Sequence, residues 1–310
     1  MRRKEDRILP CLCAVSFLFF VCSLLFPKAD GSPPQPRTMS MLSPAGAEAV
    51  RAVALSRGTR ALLCARHDGV WIAEQDGRCA VADGKMLDSL VARLSKPRTV
   101  YKIADDYKSV MSHDLDEARP FSLSFFDGDG NGLSEILFFA SDFLTGRMSF
   151  ASVQSKVLYE SEDDVFSFLS ADLNVWAAGE ICAGIADPVL ITFSSPSASG
   201  SVAEGEEGFA AAARELLGVR HGRIAEAGPF SAPPALEVAV HDGNGRIVRV
   251  RVFSEGGDFF LSRMVVPSVV FDSGETAAGF LRENAVYEIS GWTYSRLLDA
   301  LGVSKGLSAH

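Results

Sequence analysis

Apolar residues fall into three kinds of run along this chain. The first is almost unbroken. Residues 8–26 carry no charge, with Arg2, Arg3, Lys4 and Arg7 before them and Pro27-Lys28 after. A helix needs about 20 apolar residues to cross a bilayer core, and this run has that length. A secretory hydrophobic region is shorter, about 7 to 15 residues, and ends at a small-x-small site. The best such site here is Pro27-Lys28-Ala29, where the proline fits poorly. Cys11, Cys13 and Cys22 lack the Leu-x-x-small context of a lipidation site. The pattern therefore predicts a single transmembrane signal anchor at 8–26, with a cleaved signal peptide as the alternative. The basic residues keep 1–7 in the cytoplasm and place the bulk outside it, anchored in a bacterial cytoplasmic membrane.

The second kind of run alternates apolar and polar positions. Strands are expected at 50–54, 61–65, 70–73 and 78–81, with turns at Arg57-Gly58 and His67-Asp68-Gly69. A further strand is expected at 99–103, a hairpin from 121–126 to 133–140, and a strand at 157–160. The third kind has helical spacing. Met86, Leu87, Leu90, Val91 and Leu94 share one face of a helix opened by Asp83 or Gly84 and stopped by Pro97. A second helix is expected at 164–171. Many strands and few helices predict an α+β fold with mainly antiparallel sheets.

Polar stretches divide the chain. Residues 27–46, rich in Pro and Ser over 31–44, read as a tether. A first α+β half is expected over 47–186 and a second over 187–310. Residues 194–208 (Ser-Ser-Pro-Ser-Ala-Ser-Gly-Ser, then Glu-Gly-Glu-Glu-Gly) read as a flexible loop.

Three fragments recur in order, which predicts an internal duplication. Lys156 to Leu169 aligns with Ser268 to Leu281, and Asp129-Gly-Asn-Gly132 with Asp242-Gly-Asn-Gly245. Leu90 to Leu94, before a basic strand, aligns with Leu216-Leu217 before Arg220. The period exceeds that of a solenoid repeat, so the halves are domain-sized.

Charge narrows the partners. Removing Arg2, Arg3, Lys4 and Arg7 from 30 basic residues leaves 26, and removing Glu5 and Asp6 from 39 acidic ones leaves 37, a net −11. This argues against nucleic acid and against adhesion to anionic lipid. Outside the apolar run only Cys64, Cys79 and Cys182 remain. Cys64 and Cys79 flank a hairpin and are either a disulfide or, with Cys182, buried thiols.

The sharpest local motif is Asp127-Gly-Asp-Gly-Asn-Gly-Leu-Ser-Glu135. Oxygen ligands from Asp127, Asp129, Asn131 and Glu135 have the spacing to surround calcium. It departs from the EF-hand loop at position 12, where Phe138 stands instead of a bidentate Glu, and more closely resembles the calcium loop of integrin-type β-propeller repeats, which occur in many copies where this chain has one. The bland alternative, a glycine-rich hairpin turn, weighs more, because Asn-Gly and Asp-Gly are strong hairpin signals. No nucleophile elbow, paired-histidine metal spacing or phosphate loop occurs, so no catalytic residue and no other cofactor is expected. His67 and His241 are expected in turns. Trp71, Trp176 and Trp292 are expected in cores before a ligand groove.

One set of motifs carries a resemblance. It comprises the anchor and tether, Asp68-Gly-Val-Trp71, Val81-Ala-Asp83 opening a helix with Leu87, Leu90 and Leu94, and the basic strand at 98–103. Asp114-Leu-Asp116, Val157-Leu-Tyr159 and Asn174-Val-Trp176 follow. Over about 50–178 the chain resembles the bacterial membrane-anchored domain of unknown function encoded beside gliding-motility-type ABC transporter subunits. It departs where an Arg often follows the second Trp, since Ala177 stands there. The resemblance implies a non-enzymatic extracytoplasmic auxiliary or scaffold protein, with the membrane and ABC transporter membrane subunits as partners. A stand-alone ligand-binding module, calcium-dependent or using a groove between the halves, is the alternative expectation.

Overall fold

The computed structural model describes residues 35–67, 69–108, 120–142, 146–162, 169–226, 230–266 and 284–303. The expected anchor at 8–26 lies outside them. Among the described residues no helix is long and apolar enough to cross a membrane. The described fold is α+β, with few helices and sheets whose neighbouring strands all run antiparallel.

Period-two alternation builds the first sheet. In β2 (Ala52–Arg57) Val53 and Leu55 are buried, in β3 (Arg60–His67) Leu62 and Cys64. The chain continues through β4 (Val70–Gln75) and β5 (Arg78–Val81). It then forms the helix expected near residue 84, and later β6 (Arg98–Ala104), β7 (Phe121–Phe126), β8 (Gly132–Asp142), β9 (Arg147–Ser152) and β10 (Leu158–Ser161). The sheet is closed off by β1 (Pro36–Met39), and its order is β1-β6-β10-β9-β8-β7-β2-β3-β4-β5.

The segment expected as a tether is thus partly folded. β1 pairs with β6, Pro36 opposite Tyr101 and Met39 opposite Arg98, and α1 (Pro44–Ala49) follows, capped by the Ser43 hydroxyl. Proline content hid the strand, because an edge strand tolerates a residue that donates no hydrogen bond. α2 (Gly84–Ser95) starts where Asp83 accepts from the Met86 N–H at 3.0 Å. It buries Leu87, Leu90, Val91 and Leu94. Its last turn is satisfied from outside: Met41 and Leu42 N–H donate to Leu94 O, and Arg98 to Arg93 O.

The second sheet has the order β12-β11-β13-β14-β15-β16. Its strands are β11 (Pro188–Ser194), β12 (Ser199–Ala203), β13 (Leu236–Asp242), β14 (Ile247–Glu255), β15 (Asp258–Val266) and β16 (Val286–Ile289). α4 (Phe209–Gly218) and α5 (Gly291–Ala300) pack against each other and onto this sheet. The stretch expected as a loop at 194–208 therefore holds β12 and the turn into α4. Serine and glycine at an edge strand look like linker composition, yet Ser199, Gly200 and Ser201 pair in register with β11.

Three further expectations change. No disulfide joins Cys64 and Cys79. β4 lies between their strands, so they are about 10 Å apart, beyond the roughly 7 Å limit for a bridge. Cys64 stands opposite Ala73 and Cys79 opposite Glu74, so they also face opposite sides of the sheet. His241 sits in β13, where it pairs with Ile247. Trp71 and Trp176 are buried, but Trp292 is 68% exposed. The helix expected at 164–171 and the aligned segment at 268–281 fall mainly or wholly outside the described residues.

One contiguous apolar cluster spans both sheets. The strap after α3 (Leu173–Trp176) joins them. On one side Ala177 bridges Ala82, and Ala178 N–H donates to Val81 O. On the other, Glu180 bridges Arg220 and Ile181 N–H donates to Val219 O.

Candidate functional site

The Asp127 loop joins β7 to β8. The Asp127 carboxylate accepts the Asp129 and Asn131 main-chain N–H groups at 2.9 and 2.8 Å and the Asn131 amide at 3.0 Å. The Asn131 side chain, and then the N–H groups of the same loop, hold this carboxyl below the usual range. Its oxygens are thus turned inward on the turn. Glu135 lies on β8 and accepts from the Ser122 hydroxyl at 3.3 Å. A groove beside the loop is lined by Arg51, Arg66 and His67, and the two guanidinium groups there oppose a cation. Among the described residues no three of His, Cys, Asp or Glu converge to hold a metal.

A second turn repeats this geometry. Asp127 N–H donates to Asn131 O and Gly130 N–H to Asp127 O; Asp242 N–H donates to Arg246 O and Gly245 N–H to Asp242 O. Gly130 and Gly245 have φ of 82° and 81°, where a side chain is strained. The matching residues are therefore Asp127-Gly-Asp-Gly130 and Asp242-Gly-Asn-Gly245. The alignment that paired Asp129 with Asp242 is out by two positions, because Asp-Gly occurs twice in the first loop. Asp242 is only 4% exposed. Burial pushes its carboxyl up, but the N–H groups of Asp187 and Ala186, the Asn244 amide and Arg246 outweigh this and hold it below the usual range.

The sheets enclose a cleft of about 580 Å³ where the start of α2 faces the strap. Trp71 donates its indole N–H to Asp88 at 3.1 Å, and Arg246 donates to Gly184 O at 2.7 Å. Lys85 and Glu180 also line it, Glu180 paired with Arg220 at 3.3 Å. Buried Cys182 lines it too. Burial, partly offset by Arg263, pushes this thiol up to about 12, and burial alone does the same to Cys64. Both are packed thiols without thiolate character at neutral pH. His221 is held by both ring nitrogens, to Gly222 O at 2.8 Å and Ala178 O at 2.7 Å, with its ring 3.7 Å from that of Tyr287. This fixes the imidazole as part of the joint between the sheets.

A larger groove of about 800 Å³ lies between the β11–β12 hairpin and the helices α4 and α5. Phe193 and Val202 form its apolar wall, and Glu206, Glu207, Glu215 and Asp299 surround it. Arg296 crosses it, bonded to Glu215 and lying 4.8 Å over the Trp292 ring. Sequence reasoning missed this groove because six of its fifteen lining residues come from the stretch set aside as a linker. The exposed Trp292 on an otherwise amphipathic helix was the available signal. Of the resemblance motifs, Asp114-Leu-Asp116 lies outside the described residues. No family model, curated protein or solved structure matches this chain.

Proposed function

We propose that this chain is a non-enzymatic, membrane-anchored extracytoplasmic auxiliary or scaffold protein that acts with an ABC-type transporter or envelope complex. The observation that carries this is the order of basic residues, the apolar run 8–26 and an acidic folded region that begins at once. Pro36 of β1 follows Phe26 by ten residues, a reach of at most about 35 Å. Such a short connection confines the folded region to the membrane surface and raises its effective concentration against a membrane partner. The two sheets are read as products of a duplication. Three correspondences support this: β2 beside β7 and β11 beside β13, β6 pairing with β10 as Ile224 bridges β16, and the matched turns at Asp127 and Asp242.

The test is a pull-down of the full-length protein from native membranes, read by mass spectrometry. Co-purification of ABC transporter subunits is expected. A monomer with no membrane protein attached would sink the proposal. The cleft of about 580 Å³ favours a second reading, a ligand-binding module. Small-molecule screening by thermal shift distinguishes it, with Asp88→Asn predicted to abolish any shift that arises in that cleft.

A further inference from the structure

The edges of the two sheets are treated unequally. β1 carries Pro36 and Arg37, residues that discourage strand addition. The β5 edge is taken by Asn284 and Ala285, whose N–H groups donate to Cys79 O, while the Asn284 side chain accepts the Cys79 N–H. Beside β16, Gly222 and Ala225 N–H donate to Glu288 O and Val286 O. β12 is different. It reads Ser-Gly-Ser-Val-Ala, with neither proline nor charge.

Its outward hydrogen-bonding groups can be placed. Ser195 N–H donates to Ala198 O and Glu204 N–H to Val189 O, which fixes the alternation along the hairpin. Ser199, Ser201 and Ala203 then turn their main-chain groups away from β11. Glu206 accepts the Ala203 N–H at 2.8 Å. No described residue covers the outward groups of Ser199 and Ser201.

The acidic groove borders this same edge. Its wall of Phe193 and Val202 is apolar, its carboxylates outnumber its single arginine, and that arginine is already bonded to Glu215. Trp292 stands exposed beside Arg296, and Trp and Arg are the residue types that anchor protein contacts.

We propose that β12 and this groove form the docking site for an extended basic segment of a partner protein. The segment adds a strand to β12 through Ser199 and Ser201. Its groove-facing side chains are basic, laying their apolar stems over Phe193 and Val202 and their charges against Glu207. Main-chain pairing supplies affinity and the alternating side chains supply selectivity. Charge complementarity excludes an acidic segment. The proposal rests on the auxiliary reading for the existence of a partner and names the surface that partner uses.

The test uses the full-length protein in detergent with two fluorescent decapeptides, one alternating Lys and Val, the other Glu and Val. Anisotropy is expected to show the Lys–Val peptide binding at about 10–100 μM and weakening about tenfold at high salt. The Glu–Val peptide is expected to stay free. Glu207→Lys should weaken binding about fivefold or more, Trp292→Ala about tenfold, and Ser201→Pro should abolish it. Glu207→Lys is a surface change, so it reads the groove even if the proline variant does not fold. Equal binding of both peptides, no binding up to about 1 mM, or unchanged binding by Glu207→Lys overturns the proposal. In the membrane pull-down, undiminished partner recovery with Glu207→Lys also overturns this surface while leaving the auxiliary reading intact. Selective peptide binding with no partner in membranes leaves the docking chemistry standing and removes the auxiliary reading.

Discussion

Single residues carry more of this structure than their exposure suggests. Asp242 joins the β13–β14 turn to the start of β11, accepting the Asp187 N–H at 2.7 Å and the Asn244 amide at 3.1 Å. Hydrogen bonds to a buried charged group contribute about 1.5–3 kcal/mol. Asp242→Ala is therefore expected to lower unfolding free energy by about 2–3 kcal/mol in urea titrations. The pH dependence follows from a folded pKa below the unfolded value of about 3.9. The contribution is complete above that unfolded value and disappears as pH falls through the lower folded one. Asp242→Asn should flatten the loss of stability as pH falls below about 4, relative to the parent. An equally steep acid loss in the variant would assign that loss elsewhere.

At the scale of elements, the two Asp-Gly turns are a matched pair with different surroundings. Each places a glycine in the left-handed region at its fourth residue. Gly130→Ala and Gly245→Ala are each expected to cost about 1–2 kcal/mol by chemical denaturation. Calcium should change neither value nor the parent's melting temperature, because the Asp127 oxygens are occupied by the loop itself. A saturable heat on calorimetric titration with calcium, lost in Asp127→Ala, would restore the metal reading. These turns also mark what sequence can reach. The strands around Val53, Leu62 and Leu123 and the helix of Leu87, Leu90 and Leu94 were legible, since one buried face imposes a period on the sequence. β1 and β12 were not, because an edge strand half in water needs no apolar alternation.

At the scale of the whole molecule, two seams join the sheets among the described residues. One is the strap at 177–181. The other is Asn284, which accepts the Cys79 N–H at 2.6 Å and donates to Gly77 O at 2.9 Å. With an apolar cluster continuous across both sheets, unfolding is expected as one transition. Asn284→Ala is expected to lower stability by about 1 kcal/mol and to speed amide exchange at Cys79 and along β5 before it affects β7 or β8. Exchange raised equally everywhere would mean that this contact does not govern the seam. Two transitions in the parent protein would mean that the halves fold independently.

The sequence by itself determined the local order of most elements, because helix and strand periodicity depend only on which neighbours are apolar. It also determined the charge balance, but not which of Trp71, Trp176 and Trp292 would be buried. It did not determine which side chains would meet. Whether Cys64 and Cys79 pair was open along the chain, and β4 passing between them decides it. The Asp127 loop reads in sequence as a turn before a calcium site, and which groups its carboxylate meets, the N–H groups of Asp129 and Asn131, is decided by the folded loop. The groove beside β12 joins residues near 200 with residues near 296, a proximity set by packing two helices on one sheet. Such contacts depend on register and layer order, which are long-range quantities that no local pattern encodes.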